Sequence, residues 1–476
     1  MRLFDFIMEN LGPHLLTVAG FLLAVFLLAR VLSEKRAPAN TFAWLLLIVL
    51  MPYVGVPLYL IFGGRKLRRL LGRKSRLLPT LPAPALNAAA CANSPVAHTI
   101  VSAGAPPPVA GNTVRLLTNG EDTFAALEQQ IRAARHTIHI MTFILGRDDT
   151  GRRLVALLAE RARAGVKVRL LLDGVGCLFS SHGFVQPLRA AGGEVGRFMP
   201  VLPFSSRGSA NLRLHRKIAI FDHRTAMVGG HNLAREYMGP EPFARRFQDF
   251  GALIGGPAAA LLNEVFIADW CFATQQPAAR LQAAIPAQVV ELLGPSELQV
   301  VASGPDVPGD PLYEGVVAMI QEAEHSVWIV SPYFLPDEVL LRSLIVKARA
   351  GRDVTIIVPA RSNHPITDLA RRDSLRQLRR AGARVLLFAP GMIHSKGIMV
   401  DGRVGLLGSA NFDPRSLFVN FEIGVFLHSP ADVAAMNCWA EGLARQSREP
   451  GPARSGPTRP LTTLAEEISR LFAPFL

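Results

Sequence analysis

The sequence predicts an α/β protein: two tandem domains, each a β-sheet flanked by helices, sharing one active site and preceded by an N-terminal transmembrane helical hairpin. Three observations predict it. A short motif occurs twice, as His215, Lys217 and Asp222 and again as His394, Lys396 and Asp401. The strings around it recur in the same order: IRAARHTIHIMTFIL (131–145) and AGVKVRLLLDG (164–174), then IQEAEHSVWIVSPYFL (320–335) and AGRDVTIIVPA (350–360). Two long apolar runs open the chain. Self-similarity of this kind means two copies of one structural unit.

Residues 1–76 read as the hairpin, with segments at about 12–32 and 41–62. From Leu15 to Leu32 the first run is broken only by Thr17, Gly20 and Arg30. The second is long enough to cross a hydrocarbon core of about 30 Å. Pro52, Gly55 and Pro57 would kink it, so a re-entrant hairpin stays open. A cleaved signal peptide is disfavoured, because the first run lacks a basic start and a second span follows. Arg65, Lys66, Arg68, Arg69, Arg73, Lys74 and Arg76 follow the second run. Two crossings and the positive-inside rule put the amino terminus and the catalytic body on the cytoplasmic side. The same cluster would lie on anionic headgroups.

Residues 77–110 are rich in Pro and Ala and read as a linker with little structure of its own. The first repeated domain then covers 111–285 and the second 286–476. Each reads helix, strand, helix, strand and later the motif strand, giving a mixed or parallel sheet with helices packed on it. The tail LTTLAEEISRLFAPFL has the spacing of a packed amphipathic helix. Cys91, Cys177, Cys271 and Cys438 lack metal or redox spacing and read as reduced thiols. The 476 residues carry a net charge of +14, which favours an anionic partner such as acidic lipid or nucleic acid.

LRLHRKIAIFD and GMIHSKGIMVD both read as strands, so each His lies beside its Lys on one face. An imidazole is a nucleophile that forms covalent intermediates, and an adjacent ammonium holds an anionic oxygen. Each copy runs on to a Gly-x-x-Asn tail, Gly229 to Asn232 and Gly408 to Asn411, whose amides could reach the same oxygens. Two histidines, two lysines and two asparagines make a site for a phosphodiester. Asp222 and Asp401 complete the catalytic motifs in sequence, but they read as pairing with backbone or a basic side chain, more structural than chemical. A lysine beside each His would repel a cation, and no Cys or carboxylate cluster completes a ligand set, so no metal or other cofactor is expected. His139, His182, His231 and His364 read as core or surface residues.

The paired motifs resemble the phospholipase D superfamily. The fuller strings are similar to one branch, the bacterial cardiolipin synthases: TFAWLLLIVLMPYVGVPLYLIFG (41–63), GVKVRLLLDGVG (165–176), LHRKIAIFD (214–222), SPYFLPDEVLLRSL (331–344) and HSKGIMVDGRVGLLGSANFDPRSLFVNFE (394–422). The resemblance covers nearly the whole chain. It departs at His223, where family members usually carry Gly, and at FQDFGALIGGPA, a loose version of the family segment.

The resemblance implies two tandem phospholipase D-like domains and a multi-pass protein of the bacterial inner membrane. It makes one motif His the nucleophile and the other the general acid; we expect His215 to attack phosphorus and His394 to protonate the departing glycerol. Lys217, Lys396, Asn232 and Asn411 would bind the non-bridging oxygens. It also pairs each His with an orienting carboxylate downstream of its motif, and Asp249 and Glu422 match those positions. The implied reaction moves a phosphatidyl group between two phosphatidylglycerols, giving cardiolipin and glycerol through a phosphatidyl-histidine. The partners are then phosphatidylglycerol and the lipid bilayer, with nucleic acid unexpected beside two membrane spans. A membrane-bound phospholipase D that hydrolyses lipid to phosphatidic acid would use the same residues. A non-catalytic scaffold binding anionic lipid is the alternative from another class.

Overall fold

Strands such as TIHIMT and VTIIVP are buried on both faces because helices cover both sides of the sheet they join. The computed structural model describes residues 94–200, 212–277 and 292–451 continuously, with isolated positions between 18 and 56 and at 281, 466 and 469. The chain divides into two compact units, one of Met1–Leu70 with Leu202–Asn211 and one holding the rest.

The larger unit opens with helix α1 (Pro95–Ser102) and continues as β1 (Val109–Leu117), α2 (Gly120–Ala133), β2 (Thr137–Thr142), α3 (Asp149–Arg163) and β3 (Lys167–Asp173). There follow α4 (Gln186–Ala190), β4 (Glu194–Phe198), β5 (Ile218–Phe221), β6 (Thr225–Gly229), β7 (Gly251–Gly255) and α5 (Pro257–Thr274). The second half repeats the order as β8 (Ser296–Ser303), α6 (Pro311–Glu322), β9 (Ser326–Val330), α7 (Glu338–Arg349), β10 (Asp353–Pro359), α8 (Pro365–Arg380) and β11 (Arg384–Phe388). It closes with β12 (Gly397–Val400), β13 (Val404–Gly408), α9 (Pro414–Phe418), β14 (Glu422–Leu427), α10 (Pro430–Arg445) and the short β15 (Ser447–Arg448). Asn119, Asp148 and Asp337 start α2, α3 and α7 by accepting a backbone N–H of the first turn.

Among the described residues the strands form one 15-stranded sheet in the order β15-β11-β10-β9-β12-β13-β14-β8-β1-β7-β6-β5-β2-β3-β4. Reading outward from the β8–β1 pair, the two halves present equivalent strands in the same succession. Within each half three strands are parallel, β2-β3-β4 and β9-β10-β11, and the rest pair antiparallel, so the sheet is mixed. β1 and β8 pair antiparallel and make the sheet continuous across the repeat. Each half has its own core, around Phe124, Leu127, Ile138 and Leu158 in the first and Ile329, Leu344, Ile356 and Phe426 in the second.

The expectation that 77–110 lacks structure needs correction where that segment is described. Pro95 occupies the first helical turn of α1, Ser94 accepts the N–H of Ala97, and Val96, Ala97 and Ile100 are buried. A helix with one apolar face gains by packing, and α1 packs on α6. β1 then begins at Val109, inside the expected linker. The expected spans at 12–32 and 41–62 lie for the most part outside the described residues. Residues 45–50 are helical, with Leu46, Val49 and Leu50 exposed. Among the described residues no helix is long and apolar enough to cross a membrane. The tail helix falls outside too, apart from Glu466, which binds Arg376 at 2.7 Å, and Ser469.

Candidate active site

His215, Lys217, His394 and Lys396 are all buried, but they lie in the segments that lead into β5 and β12 rather than on the strands themselves, which corrects the reading of the whole motif as strand. Each motif is then stitched to the opposite half. The N–H of His215 donates to Phe421 O at 2.9 Å, and that of His394 to Gln248 O at 2.8 Å. Isolated parallel bridges, Leu214 with Phe421 and Gln248 with Ile393, mark the same two crossings. The two motifs thereby meet in one site.

The orienting carboxylates are exchanged between the halves. His215 Nδ1 lies 2.7 Å from Glu422 Oε1, and His394 Nδ1 lies 2.7 Å from Asp249 Oδ2. Each His thus takes the acid downstream of the other motif, which corrects the expectation that a motif is served by its own. Both acids are fully buried and well held. Glu422 also accepts from Ser409 Oγ, and Asp249 Oδ1 from its neighbour's amide, Phe250 N, at 2.8 Å. With Nδ1–H given to the acid, Nε2 is the nitrogen left for chemistry.

Burial sets the charge of the imidazoles. It pulls His215 down to about 4, with Glu422 opposing and Lys217 reinforcing the shift. It pulls His394 down to about 3, helped by Lys396, whose Nζ sits 3.0 Å from His394 Nε2, and opposed by Asp249. Both rings are therefore neutral near neutral pH, the form a nucleophile requires. Burial likewise lowers Lys396 to about 8 and takes Lys217 well below the usual lysine range, with Lys396 adding to the latter. Burial would raise Asp249 and Glu422, but the facing His and Lys groups outweigh it and hold both acids ionised.

Asn232 and Asn411 are buried at the ends of the two Gly-x-x-Asn tails. Asn232 Oδ1 accepts from Ile144 N at 3.1 Å, and its side chain bonds the Tyr237 hydroxyl. Asn411 bonds Asp413 through its side chain, and its Oδ1 has no partner among the described residues. Asp222 and Asp401 are not brought to the site, so counting them as catalytic needs correction. The strand between each Lys and its Asp carries the carboxylate to the far end of β5 or β12. There Asp222 accepts from the N–H groups of Arg135, His136 and Thr137 at 2.7–2.8 Å, and Asp401 from those of Glu324, His325 and Ser326 at 2.7–2.8 Å.

Other groups at the site carry no signal in the motif. Arg216 is fully buried and donates to Glu422 O at 2.8 Å, Ser303 O at 2.9 Å and Asp269 Oδ2 at 2.6 Å. Phe143 packs edge-on against His215 with centroids 5.2 Å apart, and Tyr237 against His394 at 4.9 Å. His231, read as a core or surface residue, is buried, and burial lowers its pKa against the opposing charge of Asp249. Among the described residues no group of three or more metal-ligating side chains is present.

The family described as "Cardiolipin synthase, PLD-like domain" matches residues 127–270 and 316–444, once in each half. One described as "Phospholipase_D-nuclease N-terminal" matches residues 22–64. The cardiolipin synthase of Geobacillus thermodenitrificans (strain NG80-2) is 34% identical over 98% of this chain and 95% of its own. Cardiolipin synthase A of Pseudomonas fluorescens (strain SBW25) is 34% identical over 98% of this chain and 100% of its own. Among solved structures, phosphatidylserine synthase from Haemophilus influenzae Rd KW20 shares the fold, with a TM-score of 0.60 over 76% of this chain and 95% of that one at 16% identity.

Proposed function

This chain belongs to the cardiolipin synthase family of phospholipase D-like proteins, and from that premise we propose that it transfers a phosphatidyl group from one phosphatidylglycerol to another, yielding cardiolipin and glycerol. The observation that supports this most directly is the pair of buried imidazoles, each held at Nδ1 by an acid from the opposite half, in one site with two lysines.

The reaction takes two in-line displacements. In the first, Nε2 of neutral His215 forms a bond to phosphorus, the bond from phosphorus to the glycerol oxygen breaks, and the leaving oxygen takes a proton from His394. In the second, the terminal hydroxyl of another phosphatidylglycerol gives its proton to His394 as its oxygen bonds to phosphorus and the P–N bond breaks. His215 is regenerated, and the sum is two phosphatidylglycerols to one cardiolipin and one glycerol. Splitting the transfer keeps each step a single displacement.

His394 must carry a proton for the first step, although burial and Lys396 hold it neutral in the free protein. The anionic phosphodiester works against both, because a nearby negative charge favours the imidazolium. Lys217, Lys396, Asn232 and Asn411 hold the non-bridging oxygens where charge builds. Asp249 and Glu422 fix ring orientation and tautomer. We place residues 12–32 and 41–62 in the bacterial inner membrane with the catalytic halves on the cytoplasmic side; the basic cluster from Arg65 to Arg76 supports this.

The test is purified full-length protein with headgroup-labelled phosphatidylglycerol as its only lipid. Cardiolipin with released glycerol is the expected product. Phosphatidic acid alone would make the protein a hydrolase, and absence of turnover would defeat the transferase reading.

A further inference from the structure

Three apolar side chains crowd the turn that follows β3. Val175 is 42% exposed, Leu178 40% and Phe179 75%. Isolated exposed apolar residues are ordinary, but three within five positions form a patch that water disfavours. The turn is not loose. Val175 N and Gly176 N donate to Asp173 Oδ1 at 2.8 and 2.9 Å, and Ser181 N donates to Cys177 O at 2.9 Å. Beneath it, Cys177 Sγ donates to Phe143 O at 3.2 Å, Ser180 Oγ donates to Leu145 O, and Cys177, Ser180 and Ser181 are buried. A Cβ on Gly176 would meet Phe143 O at 2.1 Å, so only glycine seats the turn this closely. Its polar atoms face inward and its apolar side chains are held outward.

The same contacts place the turn at the rim of the active site. Asp173 Oδ2 accepts from Leu214 N at 2.8 Å, one residue before His215, and the Phe143 ring rests on His215. No acidic residue occurs from Gly174 to Gly193, while Arg189 and Arg197 bind the turn's far flank through Ser181 O, His182 O and the His182 ring. Outward apolar side chains flanked by cations suit the boundary of an anionic leaflet, where acyl chains and phosphates lie side by side.

We propose that the Val175–Phe179 turn docks into an anionic phospholipid leaflet, setting the membrane surface at the mouth of the site so that a headgroup reaches His215 while its acyl chains stay in the bilayer. This rests on the phospholipid reading of the substrate. The turn is a second membrane contact, separate in sequence from the apolar runs at the amino terminus, and it belongs to the catalytic body itself.

Two measurements on the full chain decide it. The first uses Phe179→Trp in vesicles of phosphatidylglycerol and phosphatidylcholine, reading quenching by brominated lipid over the wild-type background of four tryptophans. Docking predicts that the added fluorescence falls by about half or more on contact with the acyl region. An added signal indifferent to brominated lipid would overturn the proposal. The second compares wild type with Val175→Ser/Leu178→Ser/Phe179→Ser on two forms of phosphatidylglycerol. The half-saturating surface concentration on vesicles should rise by about tenfold, while turnover of a monomeric short-chain analogue stays unchanged. Equal losses on both forms, or none on either, would also overturn it. If wild type turns over neither form, the substrate reading fails, and the quenching result still decides docking.

Discussion

Glu422 Oε1 lies 2.7 Å from His215 Nδ1 although 207 residues separate the two in sequence. The converse contact, His394 with Asp249, spans 145 residues in the other direction. Assignment of the two imidazoles can therefore be tested through acids that lie outside their own motifs. Glu422→Gln should slow formation of the phosphatidyl-enzyme by on the order of 10²–10⁴-fold, because the amide cannot hold the reactive tautomer of His215. Asp249→Asn should act through His394, on proton transfer to the leaving group and from the acceptor. Rapid-quench single turnovers with labelled donor separate the steps. Normal accumulation of the intermediate in the Glu422 variant would reverse the two histidines.

Acid should destabilise the fold before Asp249 and Glu422 titrate. His215 and His394 are held neutral down to about 4 and about 3, whereas in the unfolded chain each takes up a proton near 6.5. As pH falls through that window the unfolded state binds more protons, so stability declines by about 1.4 kcal/mol per pH unit for each imidazole. Asp249 and Glu422, both lowered, add their own loss only below the unfolded carboxylate range. Burial holds His139 to about 3 and His428 to about 4, so they add the same dependence, and denaturant titrations from pH 7 to 4.5 should show several such increments together. His215→Gln should remove one proton's worth of it, and an unchanged slope would count against burial of the neutral ring.

Asp222→Ala and Asp401→Ala should separate stability from chemistry. Each carboxylate satisfies three backbone N–H groups at the start of β2 or β9 and approaches neither imidazole. Losing it should cost about 1–3 kcal/mol of stability while the folded fraction keeps near wild-type kcat. A large fall in kcat with unchanged melting would restore these residues to the chemistry.

Arg216 should behave as a buried strut. Arg216→Met leaves Asp269 charged, buried and without that guanidinium, a change expected to cost about 3–5 kcal/mol. Pairing it with Asp269→Leu should recover part of that loss, since a buried ion pair is often replaceable by apolar groups. Thermal melts of the single and double variants measure the coupling; strict additivity would show that the two groups do not act together.

The repeat was legible because it lies in local strings. The motif spacing brought His215 to Lys217 and His394 to Lys396, although both pairs sit just ahead of β5 and β12 and not on them, and the strands that follow carry Asp222 and Asp401 off toward the backbone. The acids at Asp249 and Glu422 were legible as candidates, but their exchange was not. Chain order places each behind its own motif, and only the crossings at Phe421 and Gln248 reverse the pairing. Arg216 occupies a position the motif leaves open, so nothing local distinguishes it from a solvated arginine. Helix α1 was hidden by composition: the surrounding Pro and Ala argue for a linker, while its stability comes from burying Val96, Ala97 and Ile100. The apolar patch at Val175, Leu178 and Phe179 appears only after folding has buried Cys177 between them.

Duplication ordinarily leaves one copy of a gene segment free to drift while the other keeps the original duty. The exchanged acids remove that freedom here. A change at Glu422 is felt at the first copy's imidazole and a change at Asp249 at the second's, so neither copy holds a complete set of parts to fall back on. Selection therefore sees the two halves as one inheritable unit, and an intact half cannot mask a lesion in the other.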